Sequence, residues 1–280
     1  MRNKFKGYYF KHQKNDKVVA FIPGKAESGA FIQVITNKKS YQYNFENAQM
    51  KTNPYEIKLE DCAFSRSGLK INLPEINGEI RYTGITPIKS DIMGIFKFFP
   101  MECRHGIISM RHNLHGSLQI EQEHYDFDGG TGYIEFDEGR SFPEKYIWIQ
   151  ANDFSNKESF MLSIAKIPFC GVHFEGCICV LITEHKEYRL ATYYGAKTYL
   201  SENEIVIRQG RLILKVTVLS EGKGHPLAAP QHGKMIGMIR ENNDAKIRLA
   251  LFDGDKTICS LESSGAGYEN HGYHCILHNI

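Results

Sequence analysis

The sequence predicts an all-β protein made of two tandem antiparallel β-barrels or sandwiches, and three observations carry this. Short runs of alternating or β-branched residues recur along almost the whole chain, each closed by Gly, Asn, Asp or Pro. No stretch longer than a few turns shows the apolar period of an amphipathic helix. The two halves can also be laid over one another in order.

In the first half the expected strands are YYFKHQ (8–13), VVAFIP (18–23), AFIQVIT (30–36), YEIKL (55–59), LKINL (69–73), GIISMRH (106–112), GSLQIEQ (116–122) and GYIEF (132–136). The second half follows with YIWIQ (146–150), FMLSIAKI (160–167), CICVLIT (177–183), YRLATYY (188–194), EIVIRQ (204–209), RLILKVTV (211–218) and KIRLALF (246–252). Asp128-Gly129-Gly130 and Asp253-Gly254-Asp255 are turn signals of the kind that joins antiparallel strands. In each half an aromatic strand leads through two apolar ones to an Ile-Thr, and a Tyr follows five residues later, Tyr41 in one and Tyr188 in the other. LKI (69–71) and LKV (214–216) then come at comparable places. The repeat places a join near residue 142, giving units 1–142 and 143–280.

At 280 residues each half can bury its own core. The 34 basic and 32 acidic residues nearly cancel, which argues against a nucleic-acid binder or a basic membrane-surface protein. The start, MRNKFKGYYFKHQ, has no apolar stretch behind its basic residues, so no signal peptide is expected. The longest apolar run, at 177–183, is too short to cross a bilayer as a helix. Seven cysteines at irregular spacings, without a C-x-x-C pair, read as free thiols in a reducing cytoplasm. His112 and His115 are three apart and point to opposite faces of a strand, and no HExxH unit exists, so neither a metal nor another cofactor is expected. The Gly-rich stretch 128–132 has no helix after it to hold a phosphate.

The functional signal concentrates in residues 91–154, where Glu102, His105, His112, Asp128, Glu135 and Asp137 are threaded through Ile, Phe, Met and Trp. Such a cluster is costly to bury without partners, which makes it a place to look for a site. Period-two geometry puts Tyr133, Glu135 and Asp137 on one face of their strand and Ile134 and Phe136 on the other. Tyr146, Trp148 and Gln150 share a face of the next strand, which continues towards Asn152. Tyr8, Tyr9 and Phe10 hold the equivalent place in the first half. Asp137, beside Glu138-Gly139-Arg140, reads as a turn residue.

Gly7-Tyr8-Tyr9-Phe10, Gly132-Tyr133-Ile134-Glu135, Ser141-Phe142-Pro143, the run Trp148-Ile149-Gln150-Ala151-Asn152-Asp153-Phe154, Pro226-Leu227-Ala228-Ala229-Pro230 and the glycines of 265–267 together form a motif order spread over most of the chain. In that order the sequence resembles the tocopherol cyclase-like family, itself related to carotenoid hydratase and AttH-type two-domain lipocalin-like proteins. The resemblance implies two lipocalin-like barrels packed against each other and action on an apolar isoprenoid or prenylated phenol. Plant members close a chromanol ring. This chain departs from them, lacking a transit peptide and the extra residues they carry between the Gly-aromatic-Ile-Glu strand and Phe-Pro, so tocopherol itself does not carry over as substrate.

Cyclisation or hydration of a prenyl double bond needs one proton delivered to an alkene, and the resulting cation is trapped by a hydroxyl. The acid is then a carboxyl kept protonated by apolar surroundings, or an imidazolium. Glu135 is the first candidate for that acid, with His105 as proton relay or base, Glu102 as the group orienting His105, and Asp137 as a further carboxylate. Tyr9, Tyr133 and Trp148 would line the apolar site, and Gln150 and Asn152 would bind a ligand hydroxyl. Two rival readings stay open: a non-catalytic carrier of a hydrophobic small molecule, and a hydrolase of a polar substrate using the Glu135, Asp137 and Glu102 carboxylates.

Overall fold

The computed structural model describes residues 4–53, 56–169 and 171–273, so Cys170 and Cys275 fall outside the described residues. The architecture is all-β, as expected, with two antiparallel sheets. The first contains β1 (Phe5–Lys14), β2 (Lys17–Ala26), β3 (Gly29–Thr36), β4 (Ser40–Phe45), β5 (Met50–Thr52), β6 (Glu56–Leu59), β7 (Cys62–Ser65), β8 (Gly68–Leu73), β9 (Ile76–Thr86), β10 (Cys103–Ile120), β11 (Glu123–Asp126) and β12 (Thr131–Gly139). Its order is 4-3-2-1-12-10-9-8-7-6-5, with β11 paired to β10, and it curls into a nearly closed barrel.

The second sheet contains β13 (Tyr146–Ala151), β14 (Ser159–Phe169), β15 (Val172–Ile182), β16 (Glu187–Ala191), β17 (Lys197–Leu200), β18 (Glu204–Gln209), β19 (Leu212–Ser220), β20 (His225–Gln231), β21 (Lys234–Asp253) and β22 (Lys256–His271). Its order is 16-15-14-13-22-21-19-18-17, with β20 paired to β21, and it stays open. Strand by strand this matches the first sheet: β1–β4 and β13–β16 hold equivalent places, with Tyr41 on β4 and Tyr188 on β16. The last strand of each half, β12 or β22, pairs with the first. The LKI and LKV segments are not equivalent, because they lie on β8 and β19, which occupy neighbouring rather than matching positions.

Alternation builds both cores. In β8 and β9 every second side chain is buried, from Leu69, Ile71 and Leu73 to Ile76, Ile80 and Tyr82. These join Phe10, Phe21, Ile32, Phe64, Leu114 and Ile134 inside the first sheet. Ile147, Ile149, Phe160, Leu162, Leu214, Leu249 and Tyr268 form the core of the second. Each such side chain contributes about 1.5–3 kcal/mol relative to leaving it in water. Cys177 and Cys179 both point into that second core, and all five described cysteines are free thiols.

The chain forms two compact units, residues 1–88, 103–141 and 227–238 in the first, and 89–102, 142–226 and 239–280 in the second. Each unit therefore holds one segment from the opposite half of the sequence, pinned by polar contacts. In the first unit Gln33 Nε2 donates to Ala228 O at 2.9 Å and Gly233 N to Arg140 O at 2.6 Å. In the second, Arg189 donates to Ser90 Oγ and Ser90 O, each at 2.8 Å, and Tyr193 Oη donates to Ile92 O at 2.7 Å.

A register irregularity in β10 shapes the neighbourhood of the site. Its pairing with β12 shifts between Ile107 and Ser109 and again between Ser109 and His112, as a bulge does. Ser109, Met110 and His112 are all buried as a result. The His112 ring packs tilted against Tyr82 (4.4 Å between ring centroids) and takes part in a hydrogen bond with Ser109 Oγ at 3.1 Å, while His12 meets Tyr82 Oη at 2.6 Å. His115 sits on the other face, exposed, beside Thr83.

Candidate active site

The alternation of β12 sorts its side chains as expected: Ile134 enters the barrel core, and Tyr133, Glu135 and Asp137 take the opposite face. Residues directly opposite one another in an antiparallel ladder project to the same side. On β1, Tyr9 faces Glu135 and Lys11 faces Tyr133; on β10, His105 faces Asp137. This brings Tyr9 beside Glu135, 126 residues on, and His105 beside Asp137, 32 residues on. Although the face is turned from the barrel core, it is dry: Glu135 is 4 % exposed, His105 9 %, Tyr9 7 % and Tyr133 0 %.

The imidazole of His105 lies between the two carboxylates. Nδ1 is 3.0 Å from Asp137 Oδ1, and Nε2 is 3.3 Å from Glu135 Oε2, an ion-pair distance off the line of a good hydrogen bond. Tyr133 Oη donates to the same Glu135 Oε2 at 2.5 Å, and Cys103 Sγ points at Asp137 Oδ1 from 3.6 Å. Burial works against charge on His105, but the Glu135 and Asp137 carboxylates outweigh it and hold the imidazolium well above its ordinary pKa. Burial, reinforced by Glu135, pushes the Tyr133 hydroxyl well above its usual value, so it stays a hydrogen-bond donor. The arrangement is a buried proton store, one imidazole shared by two carboxylates and backed by a phenol. Among the described residues His105, Glu135 and Asp137 are also the one group of His, Cys, Asp and Glu close enough to share a metal ion, their ligand atoms within 4.8 Å of one another. Each ring nitrogen, however, faces a different carboxylate, which is the geometry of ion pairing.

Two expectations are corrected. Asp137 is not a turn residue: it lies inside β12, laddered to Gly7 on one side and His105 on the other. Glu102 does not orient His105, since it is exposed ahead of β10 while Asp137 takes the imidazole nitrogen. Arg104 pairs with Glu138, at 3.0 Å. Glu135, His105, Asp137, Tyr133 and Tyr9 are thus brought together on one face of the first unit.

Trp148, Gln150 and Asn152 belong to the second unit. Tyr146, Trp148 and Gln150 do share a face of β13, opposite to that of the core residues Ile147 and Ile149, and all three are buried. Tyr146 Oη donates to Glu269 Oε2 at 2.6 Å. The sequence reading passed over Lys11, 1 % exposed and on the same face as Tyr9, although the period of two within YYFKHQ was enough to place it there. It also passed over Glu241, Asn242 and Asn243, buried in β21, whose polar run looks solvated without its surroundings.

Residues 75–272 match the model of the family described as tocopherol cyclase-like. No curated protein sequence matches the chain. Among solved structures the fold is similar to that of CghA bound to Sch210972 (TM-score 0.62, 9 % identity, covering 96 % of this chain and 88 % of that one). It is also similar to a protein described as AttH from Nitrosomonas europaea (0.55, 12 %, covering 96 % and 93 %) and to kievitone hydratase from Nectria haematococca (0.51, 12 %, covering 96 % and 88 %). At these identities the likeness concerns the fold.

Proposed function

The chain belongs to the tocopherol cyclase-like family, and on that premise we propose that it binds a hydrophobic isoprenoid or aromatic small molecule and adds a proton to a carbon–carbon double bond of it. The observation that carries this reading is the buried His105 imidazole clamped between Glu135 and Asp137. An alkene is a weak base, so the proton must be stored and delivered where water does not compete for it. His105 stores the proton, and Glu135 hands it on. Asp137 fixes the imidazole, and Tyr133 holds the Glu135 carboxyl in place through its hydrogen bond. The proton leaves Glu135 for one alkene carbon, and the other carbon becomes a tertiary cation. A hydroxyl of the substrate closes a ring on it, or water adds to it, and the proton then released from that oxygen returns to the His105–Glu135 pair. The chemistry takes no cofactor. Tyr9 and Tyr133 supply aromatic faces for the cation. Free thiols at the described cysteines are consistent with a reducing compartment, the cytoplasm.

Burial of Glu135 favours catalysis over carriage, because a carrier has no use for a desolvated carboxylate–imidazole cluster. The hydrolase reading is not supported, since Glu135 and Asp137 converge on one imidazole instead of facing each other across an open cleft.

A geranyl-substituted phenol incubated with the protein in D₂O tests the proposal. A cyclised or hydrated product should carry one solvent deuterium, and Glu135→Gln or His105→Asn should slow its formation by roughly two to four orders of magnitude. A Glu135→Gln protein that turns over at the wild-type rate would remove Glu135 from the mechanism.

A further inference from the structure

We infer that the first unit has a second small-molecule site, inside its barrel, built for a small aromatic anion. A pocket of about 190 Å³ opens there, lined by Tyr8, Phe10, Phe64, Ile108, Ile134 and Phe136 at its apolar wall and by Lys6, Glu56 and Arg66 at its rim. It is separate from the acid cluster. On β1 and β12 the side chains alternate, so that Tyr8, Phe10, Ile134 and Phe136 face this pocket while Tyr9, Tyr133, Glu135 and Asp137 take the other side of the same strands.

Size and wall point to a ring. A dry apolar cavity of about 150 Å³ is enough to take up benzene. Aromatic side chains surround the space at stacking distances of one another, with centroids 5.4 Å apart for Phe10 and Phe64 and 5.9 Å for Tyr8 and Phe136. The wall is also fixed in place. The Phe136 ring lies across Gly106, where a Cβ would come within 2.3 Å of it, so only glycine lets the ring lie there.

The rim decides the charge. Lys6 Nζ shares the Glu138 carboxylate with Arg104, at 2.9 and 3.0 Å, and Glu56 is matched by Lys58 at 3.0 Å. Arg66 is the rim cation without an acidic partner among the described residues, and it is exposed. Its guanidinium can receive a carboxylate in the two-pronged fashion that this group favours. The ligand class is therefore a benzoate-like molecule, ring inward and carboxylate at Arg66.

Isothermal titration of the full chain with benzoate, benzyl alcohol and acetate separates these contributions. Benzoate should bind saturably and at least about tenfold more tightly than either benzyl alcohol, which keeps the ring, or acetate, which keeps the charge. Arg66→Gln, an exposed position whose change leaves the core untouched, should cost benzoate about tenfold or more and leave benzyl alcohol unaltered. Benzoate failing to saturate at millimolar concentration would overturn the inference. So would acetate or benzyl alcohol binding as tightly as benzoate, or an affinity for benzoate that survives Arg66→Gln. None of these readouts depends on turnover, so the acid mechanism and this site stand or fall separately.

Discussion

Replacing Glu135 by Gln should release the proton that His105 holds. The imidazolium lies 3.3 Å from the Glu135 carboxylate and 3.0 Å from that of Asp137. At an effective dielectric of about 20, each pair attracts by about 5 kcal/mol. Taking an imidazolium out of water costs several kcal/mol, so the two attractions together exceed that penalty while either one alone only about matches it. Gln keeps the size and can still accept from Tyr133, but it removes one of the two attractions. The titration of His105, followed by its imidazole resonances in a ¹H–¹⁵N spectrum and assigned by their loss in His105→Asn, should then shift to distinctly lower pH. The sign in stability follows. A histidine whose folded pKa lies above its unfolded one stabilises the fold below the unfolded value, and loses that contribution as pH rises through the folded value. The stability advantage of wild type over Glu135→Gln in urea should therefore be largest near pH 6 and shrink towards pH 9. A His105 midpoint unmoved by the substitution would refute the clamp.

His12 and His112 predict the opposite slope on the acid side. Burial depresses each to about 3, so below about 6.5 the unfolded chain takes up protons that the native core refuses, and stability should fall by about 2.7 kcal/mol per pH unit as pH drops through that window. Urea midpoints between pH 6.5 and 5 that give a slope of less than one proton would contradict it. Gly106→Ala should destabilise by about 1–3 kcal/mol through the Phe136 contact, with Phe136→Leu in the same chain recovering part of the loss in thermal unfolding; an additive pair would place the clash elsewhere. Burial raises the thiols of Cys177 and Cys179, so both should resist a maleimide in the native protein, while all seven cysteines of the sequence label once it is denatured without reductant. A cysteine protected until reductant is added would show a disulfide.

Local chemistry determined a good deal by itself. Alternation along 132–136 and 146–150 put Tyr133 and Glu135 on one face and Tyr146, Trp148 and Gln150 on another, and both faces stand as counted. The order of aromatic strand, two apolar strands and Tyr strand gave β1–β4 and β13–β16, because each strand's pattern is complete within its own residues. The period of two says which side chains share a face, but not which face is dry or which residue lies across the ladder. Those depend on pairing between distant strands. Asp137 looked like a turn because Glu138-Gly139-Arg140 follows it, yet β1 and β10 both ladder to it and carry the strand on to Gly139. His105 reaches Asp137 rather than Glu102 through the register of β10 on β12, which shifts at the bulge and so escapes counting along the chain. Residues 89–102 and 227–238 join the unit opposite to their place in the sequence, held by Arg189, Tyr193, Gln33 and Arg140 through contacts across tens to hundreds of residues. Whether a charged residue is a solvated surface group or a buried acid depends on what is folded around it, and only the assembled sheets contain that information.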